Sequence, residues 1–153
     1  MDATARPKRL ALRCDPKDRG SRRERRAIAE HCDGRIPPEM MADLQLVASE
    51  LVTNAYEHGA RGVVTLDVTL DGDTATLTVT STGNSAGIGH PSKWVFPDTP
   101  TASGRGLALT RAVSEAVELH TAVTALSPDW VAITAHLGPK ASAPDPQCRN
   151  AIV

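Results

Sequence analysis

Two alternating runs around an Asp-Gly pair constrain this chain more than any other feature. Val64, Leu66, Val68 and Leu70 take every second position of the first run, with Thr65, Asp67 and Thr69 between them. Ala75, Leu77 and Val79 repeat the pattern against Thr74, Thr76, Thr78 and Thr80. A period of two puts the aliphatic side chains on one face of a strand and the polar ones on the other. Asp71-Gly72 between the runs is a hairpin signal. A hairpin with one apolar and one wet face belongs to an antiparallel sheet covered on a single side.

The rest of the chain supplies the cover and the remaining strands. Leu10, Leu12 and Cys14 alternate with Ala11 and Arg13, which predicts a short strand. Asp18 or Ser21 can cap an arginine-rich helix running to about Cys32, and Gly34 ends it. Pro37-Pro38 open a long helix over about 39–58, with Met40, Leu44, Val47, Leu51 and Ala55 at helical spacing and Gly59 as its stop. A third helix is predicted from Gly106 to about Glu115, then strands over 117–125 and 130–137. This order predicts an α+β fold, a two-layer sandwich with a mostly antiparallel sheet and helices on one face. Residues 81–103 break every period, as either a functional lid or a disordered segment does. Residues 1–8 and 139–153 read as flexible ends flanking one domain over 9–138, within the size that a single core supports.

Composition removes several function classes. The net charge of −1 splits into +5 over residues 1–35 and −6 over residues 36–153. The chain is therefore not polybasic throughout, but its front end suits an acidic partner. Aromatics are 3% of the residues, too few for base-stacking platforms, so no direct nucleic-acid binding is expected. Cys14, Cys32 and Cys148 are odd in number and form no CxxC pair, which argues against a zinc site or a disulfide framework. No apolar run approaches a membrane span, and Met1 to Arg9 lacks the apolar stretch of a secretory signal. A cytoplasmic location away from membranes is the expectation.

Three stretches carry chemistry. Glu50, Asn54 and Glu57 fall at i, i+4 and i+7 of the long helix and share a face. A carboxylate and a carboxamide one turn apart offer hard oxygens suited to magnesium, and the glutamate can act as a base. A solvated helix face has the same spacing. Ser81-Thr-Gly83-Asn-Ser-Ala-Gly87-Ile-Gly89 follows a strand and lets a ligand approach the backbone. Ser103-Gly104-Arg105-Gly106-Leu107 opens a helix, where free amides and Arg105 favour an anion. Neither glycine loop is a Walker A motif or a Rossmann fingerprint.

Taken together, Glu50-Leu-Val-Thr-Asn54-Ala-x-x-His58-Gly59, the glycine loop after the second hairpin strand and Gly104-Arg-Gly-Leu-Ala-Leu109 resemble the N, G1 and G2 boxes of the GHKL ATPases. The likeness is closest to the bacterial anti-sigma-factor serine kinases and covers about residues 9–137. The resemblance implies a Bergerat-type fold that binds ATP and Mg²⁺. It implies Glu50 as the catalytic base and Asn54 as the Mg²⁺ ligand. Gly104, Arg105, Gly106 and Leu107 would hold phosphates, with Ser81, Gly83 and Gly87 in the G1 region. It further implies a sigma factor and a STAS-type antagonist as partners, and allows a homodimer. Ser81 stands where the family's G1 box carries an aspartate, and Pro128-Asp129-Trp130-Val131 where it often carries a Lys-Thr pair. These departures keep a second class open, a nucleotide-free module acting by protein contact alone.

Overall fold

The computed structural model describes residues 8–14, 22–57, 64–82, 91, 105–124 and 127–139. For Lys8, Arg105, 122–124 and 127–129 it describes the backbone only. The chain runs β1 (Lys8–Cys14), α1 (Arg22–Cys32), α2 (Pro38–Glu57), β2 (Val64–Asp71), β3 (Thr74–Thr82), α3 (Arg105–Val113), β4 (Ala116–Thr124) and β5 (Ser127–Leu137). The strands form one sheet in the order β1-β2-β3-β5-β4. Each neighbouring pair is antiparallel, so the sheet is antiparallel throughout. The expected α+β sandwich is present. The predicted flexible ends lie outside the described residues, apart from Lys8 and Pro139 at their margins.

The hairpin sets the register. Leu66 pairs with Val79 and Val68 with Leu77, so the aliphatic rows of β2 and β3 lie side by side. Val64, Leu66, Val68 and Leu77 are fully buried, and each such side chain contributes about 1.5–3 kcal/mol. Asp71 pairs with Thr74, which moves the turn one residue on from Asp71-Gly72 to Gly72-Asp73. Gly72 has φ +59°, the left-handed conformation that the first central position of a primed hairpin turn demands. Thr74 Oγ1 also donates to the Asp71 carbonyl at 2.8 Å.

Helix α2 lies across the apolar face of this sheet. Its Met40, Leu44, Val47, Ala48, Leu51 and Val52 are buried, one stripe at a spacing of three and four. Pro38 occupies the first helical position, and the Pro37 carbonyl accepts the first helical bond from Met41 at 3.0 Å. On one flank, Gln45 Nε2 donates to the Arg25 carbonyl of α1 at 3.0 Å. At the far end, Tyr56 Oη donates to the Cys14 carbonyl of β1 at 3.0 Å. Helix α3 ends at Val113, two residues short of the expected Glu115. The Glu115 amide donates instead to the His136 carbonyl at 2.8 Å, which feeds the chain into β4.

Helix α1 docks through Glu24, Ile28 and Cys32, a line at i, i+4 and i+8. Arg22, Arg23, Arg25 and Arg26 are all exposed, so this helix turns a basic face to solvent. The buried Glu24 is unexpected within that arginine run. Burial, then the charge of Glu24 and its hydrogen bond, push the Cys14 thiol up to about 12, against the opposing pull of Arg23. An unfolded Cys14 thiol ionises near its ordinary value of 9.0, so between there and 12 only the unfolded state releases the proton. Stability should therefore fall as pH rises from about 9 toward 12. Denaturant titrations across that range should show a shallower fall for Cys14→Ala than for the natural chain.

Candidate functional site

The two flanks of α2 differ in chemistry. Glu50 and Asn54 lie one turn apart on the side away from Gln45, at the edge of the apolar stripe beside Val47 and Leu51. Both are part-buried, whereas Glu57, the third residue of the predicted face, is exposed. Helix α3 packs against this edge. A Cβ built on Gly106 would lie 2.5 Å from Glu50 Oε2 and 3.4 Å from Glu50 Cβ. The carboxylate thus fills the space that any other residue at 106 would claim. No left-handed backbone holds Gly106 as glycine, and a side chain here requires the flexible end of Glu50 to move aside.

The local sequence of α3 explains how it comes so near. Ala108 and Thr110 are buried, and small side chains allow a short distance between helices. Thr110 satisfies its hydroxyl on its own helix, donating to the Gly106 carbonyl at 2.8 Å. Leu107 is part-buried against the main core and fixes the first turn. The amides of a first helical turn have no partner within the helix and carry partial positive charge. At the α2–α3 junction those amides belong to the turn that holds Gly106, next to the Glu50 carboxylate. The helix backbone begins at Arg105, as its predicted place at the helix start requires.

Ser81 continues the inward row of Ala75, Leu77 and Val79 and pairs with Val131. It is part-buried and lies at the end of β3. The same end of the sheet carries the last turn of α2. Cys14 pairs with Val64, Thr65 pairs with Thr80, and Tyr56 is bonded to Cys14. The fold therefore brings Glu50, Asn54, Gly106 and Leu107 together at one junction and sets Ser81 at the end of the sheet nearest Asn54. Gly83, Gly87 and Gly104 lie outside the described residues, as do His58, Gly59 and the Arg105 side chain. Trp130 pairs with Thr82 and is exposed, alternating with the buried Val131, so it faces away from the helices.

The donor set fits Mg²⁺ in one specific way. Among the described residues no group of three or more His, Cys, Asp or Glu is placed to hold a metal. Mg²⁺ bound with a nucleotide needs only one or two protein oxygens, the rest being phosphate and water. The Asn54 carboxamide beside the Glu50 carboxylate meets that demand. A cavity of about 130 Å³ lined by Met40, Asp43 and Val113 lies at the opposite end of α2 and takes no part in the site.

The family model of the histidine kinase-like ATPase domain matches residues 16–127. The chain belongs to this family. The match covers well over half of the chain and includes every candidate residue from Glu50 to Leu107. Among curated proteins, nothing matches the chain. Membership makes this an ATP-binding domain of the GHKL type. Glu50 and Gly106, more than fifty residues apart in the sequence, meet at the α2–α3 junction. Sequence reasoning missed the burial of Thr110. Its signal was the i, i+4 pairing of two small residues, Gly106 and Thr110.

Among the described residues no helix is long and apolar enough to cross a membrane. This ATPase domain should tolerate Gly106→Ala as a fold but not as a site. Alanine regains up to about 1 kcal/mol of helix propensity, which offsets part of the strain. The added methyl displaces the Glu50 carboxylate. Thermal unfolding should shift by only a few degrees, while ATP affinity read by titration falls about tenfold as the Glu50 carboxylate is pushed from its place.

Proposed function

We propose that this ATPase domain is a serine-protein kinase that binds a sigma factor and phosphorylates a STAS-type antagonist of its own anti-sigma activity. The observation that carries the reading is the contact of the Glu50 carboxylate with the start of α3, one helical turn from Asn54. Bound Mg·ATP supplies the transferable γ-phosphoryl group and spreads its charge over the metal. Asn54 offers its carboxamide oxygen to the metal. The first-turn amides at Gly106 and Leu107 donate to phosphate oxygens, and Arg105 belongs to the same turn. Glu50 would take the proton of a substrate serine hydroxyl, the group that would receive the phosphoryl group. Ser81 offers a neutral hydroxyl to the adenine amino group. The exposed arginine face of α1 suits an acidic docking segment on a partner.

Ser81 also favours a second reading, a binding module with weak or no nucleotide turnover. A hydrogen bond to a charged acceptor is worth roughly 1.5–3 kcal/mol against about 1 for a neutral one. That difference weakens ATP about tenfold, at 1.4 kcal/mol per decade.

Titrating Mg·ATP into the purified chain and following phosphate transfer to a STAS-type protein separates the two. The kinase reading expects binding, with transfer lost about 10²–10⁴-fold in Glu50→Gln while nucleotide affinity survives. Asn54→Ala should abolish Mg²⁺-dependent affinity, and Ser81→Asp should tighten ATP about tenfold. No binding at millimolar ATP sinks the kinase and leaves the module.

A further inference from the structure

Among the described residues, Glu24 and Thr110 are the buried polar side chains. Thr110 is 0% exposed, yet its hydroxyl reaches no neighbouring element. It donates to the Gly106 carbonyl of its own helix at 2.8 Å. The Thr110 amide has that same carbonyl as its helical acceptor. The carbonyl therefore takes two donors, one more than the helix ladder supplies. The fold does not need the second. A hydroxyl bonded back to the fourth residue before it slightly destabilises a helix and tends to bend it.

The Gly106 carbonyl and the Leu107 amide belong to one planar peptide group. Helix α3 begins at Arg105, so the Leu107 amide lies in the first turn and has no partner within the helix. Hydrogen bonds in series polarise one another: a donor placed on the oxygen of a peptide makes its N–H the stronger donor. The Thr110 hydroxyl thus loads one end of a peptide whose other end is free at the α2–α3 junction, where Glu50 meets Gly106.

We propose that Thr110 is a positioning residue for the nucleotide. Its hydroxyl polarises and orients the Gly106–Leu107 peptide, and so strengthens the Leu107 amide as a donor to a phosphate oxygen. The inference rests on the reading of the first-turn amides as phosphate donors. Thr110 itself never meets the nucleotide and acts through the peptide alone.

Two substitutions separate the hydroxyl from the packing. Thr110→Val keeps the shape, removes the hydroxyl and orphans no group, because the Gly106 carbonyl retains the helical amide. Thr110→Ser keeps the hydroxyl and removes a buried methyl. Were Thr110 a packing residue only, serine would be the damaging change and valine neutral. At the site the expected order is the reverse. Thr110→Val should melt no lower than the natural chain, while its Mg·ATP affinity, read by calorimetric titration, falls about threefold. That loss corresponds to about 10–30% of a hydrogen bond to a charged group. Thr110→Ser should melt several degrees lower and bind Mg·ATP as the natural chain does. In nuclear magnetic resonance spectra without nucleotide, Thr110→Val should move the Leu107 amide proton upfield and Thr110→Ser should leave it in place. Saturating Mg·ATP should move that proton in the natural chain. If it does, but Thr110→Val binds Mg·ATP undiminished or Thr110→Ser loses as much affinity as Thr110→Val, the proposal is overturned and the phosphate reading stands. A Leu107 amide unmoved by saturating Mg·ATP overturns that reading and the proposal with it.

Discussion

Everything at the site depends on how α2 is seated on the sheet. Its buried stripe from Met40 to Val52 fixes its rotation about its own axis. Once that stripe faces the rows of β2, β3 and β5, Glu50 and Asn54 can only emerge on one flank. Gln45 emerges on the other, where it takes the Arg25 carbonyl of α1. Tyr56 then ties the last turn to β1, which fixes the helix along its length. The Glu50 and Asn54 part of the site is therefore positioned by core packing, on a helix.

The hairpin and α2 were legible in the sequence because their periods are strong and local. Alternation in β2 and β3 and the three-to-four spacing in α2 each reflect a single buried face. Element ends were less legible. The turn shifted by one residue because register is settled by cross-strand pairing, not by the Asp-Gly pair itself. Strand β5 starts at Ser127, earlier than the alternation suggested, despite Pro128. Within the site, Glu50 and Asn54 could be read as a pair, but their meeting with Gly106 could not. That contact joins residues far apart in the chain, and only tertiary packing brings them together.

On the outer face of the sheet, polar side chains of the described residues meet across strands. Thr78 Oγ1 and Thr134 Oγ1 are 2.9 Å apart, and Thr76 Oγ1 meets His136 Nδ1 at 3.3 Å. His120 and His136 also converge on Glu118, and their hydrogen bonds hold its carboxyl below the usual range. The hydroxyls and imidazoles satisfy one another across strands.

The seat of α1 has a consequence for the order in which the molecule opens. Ile28 is the one large aliphatic side chain in its buried line, worth about 1.5–3 kcal/mol. Glu24 Oε2 lies buried in the same line without a hydrogen-bond partner, at a cost of about 1–3 kcal/mol. Helix α1 buries three side chains where α2 buries six, so it is the less firmly held of the two. Native-state hydrogen exchange should therefore find the amides of α1 opening before those of α2.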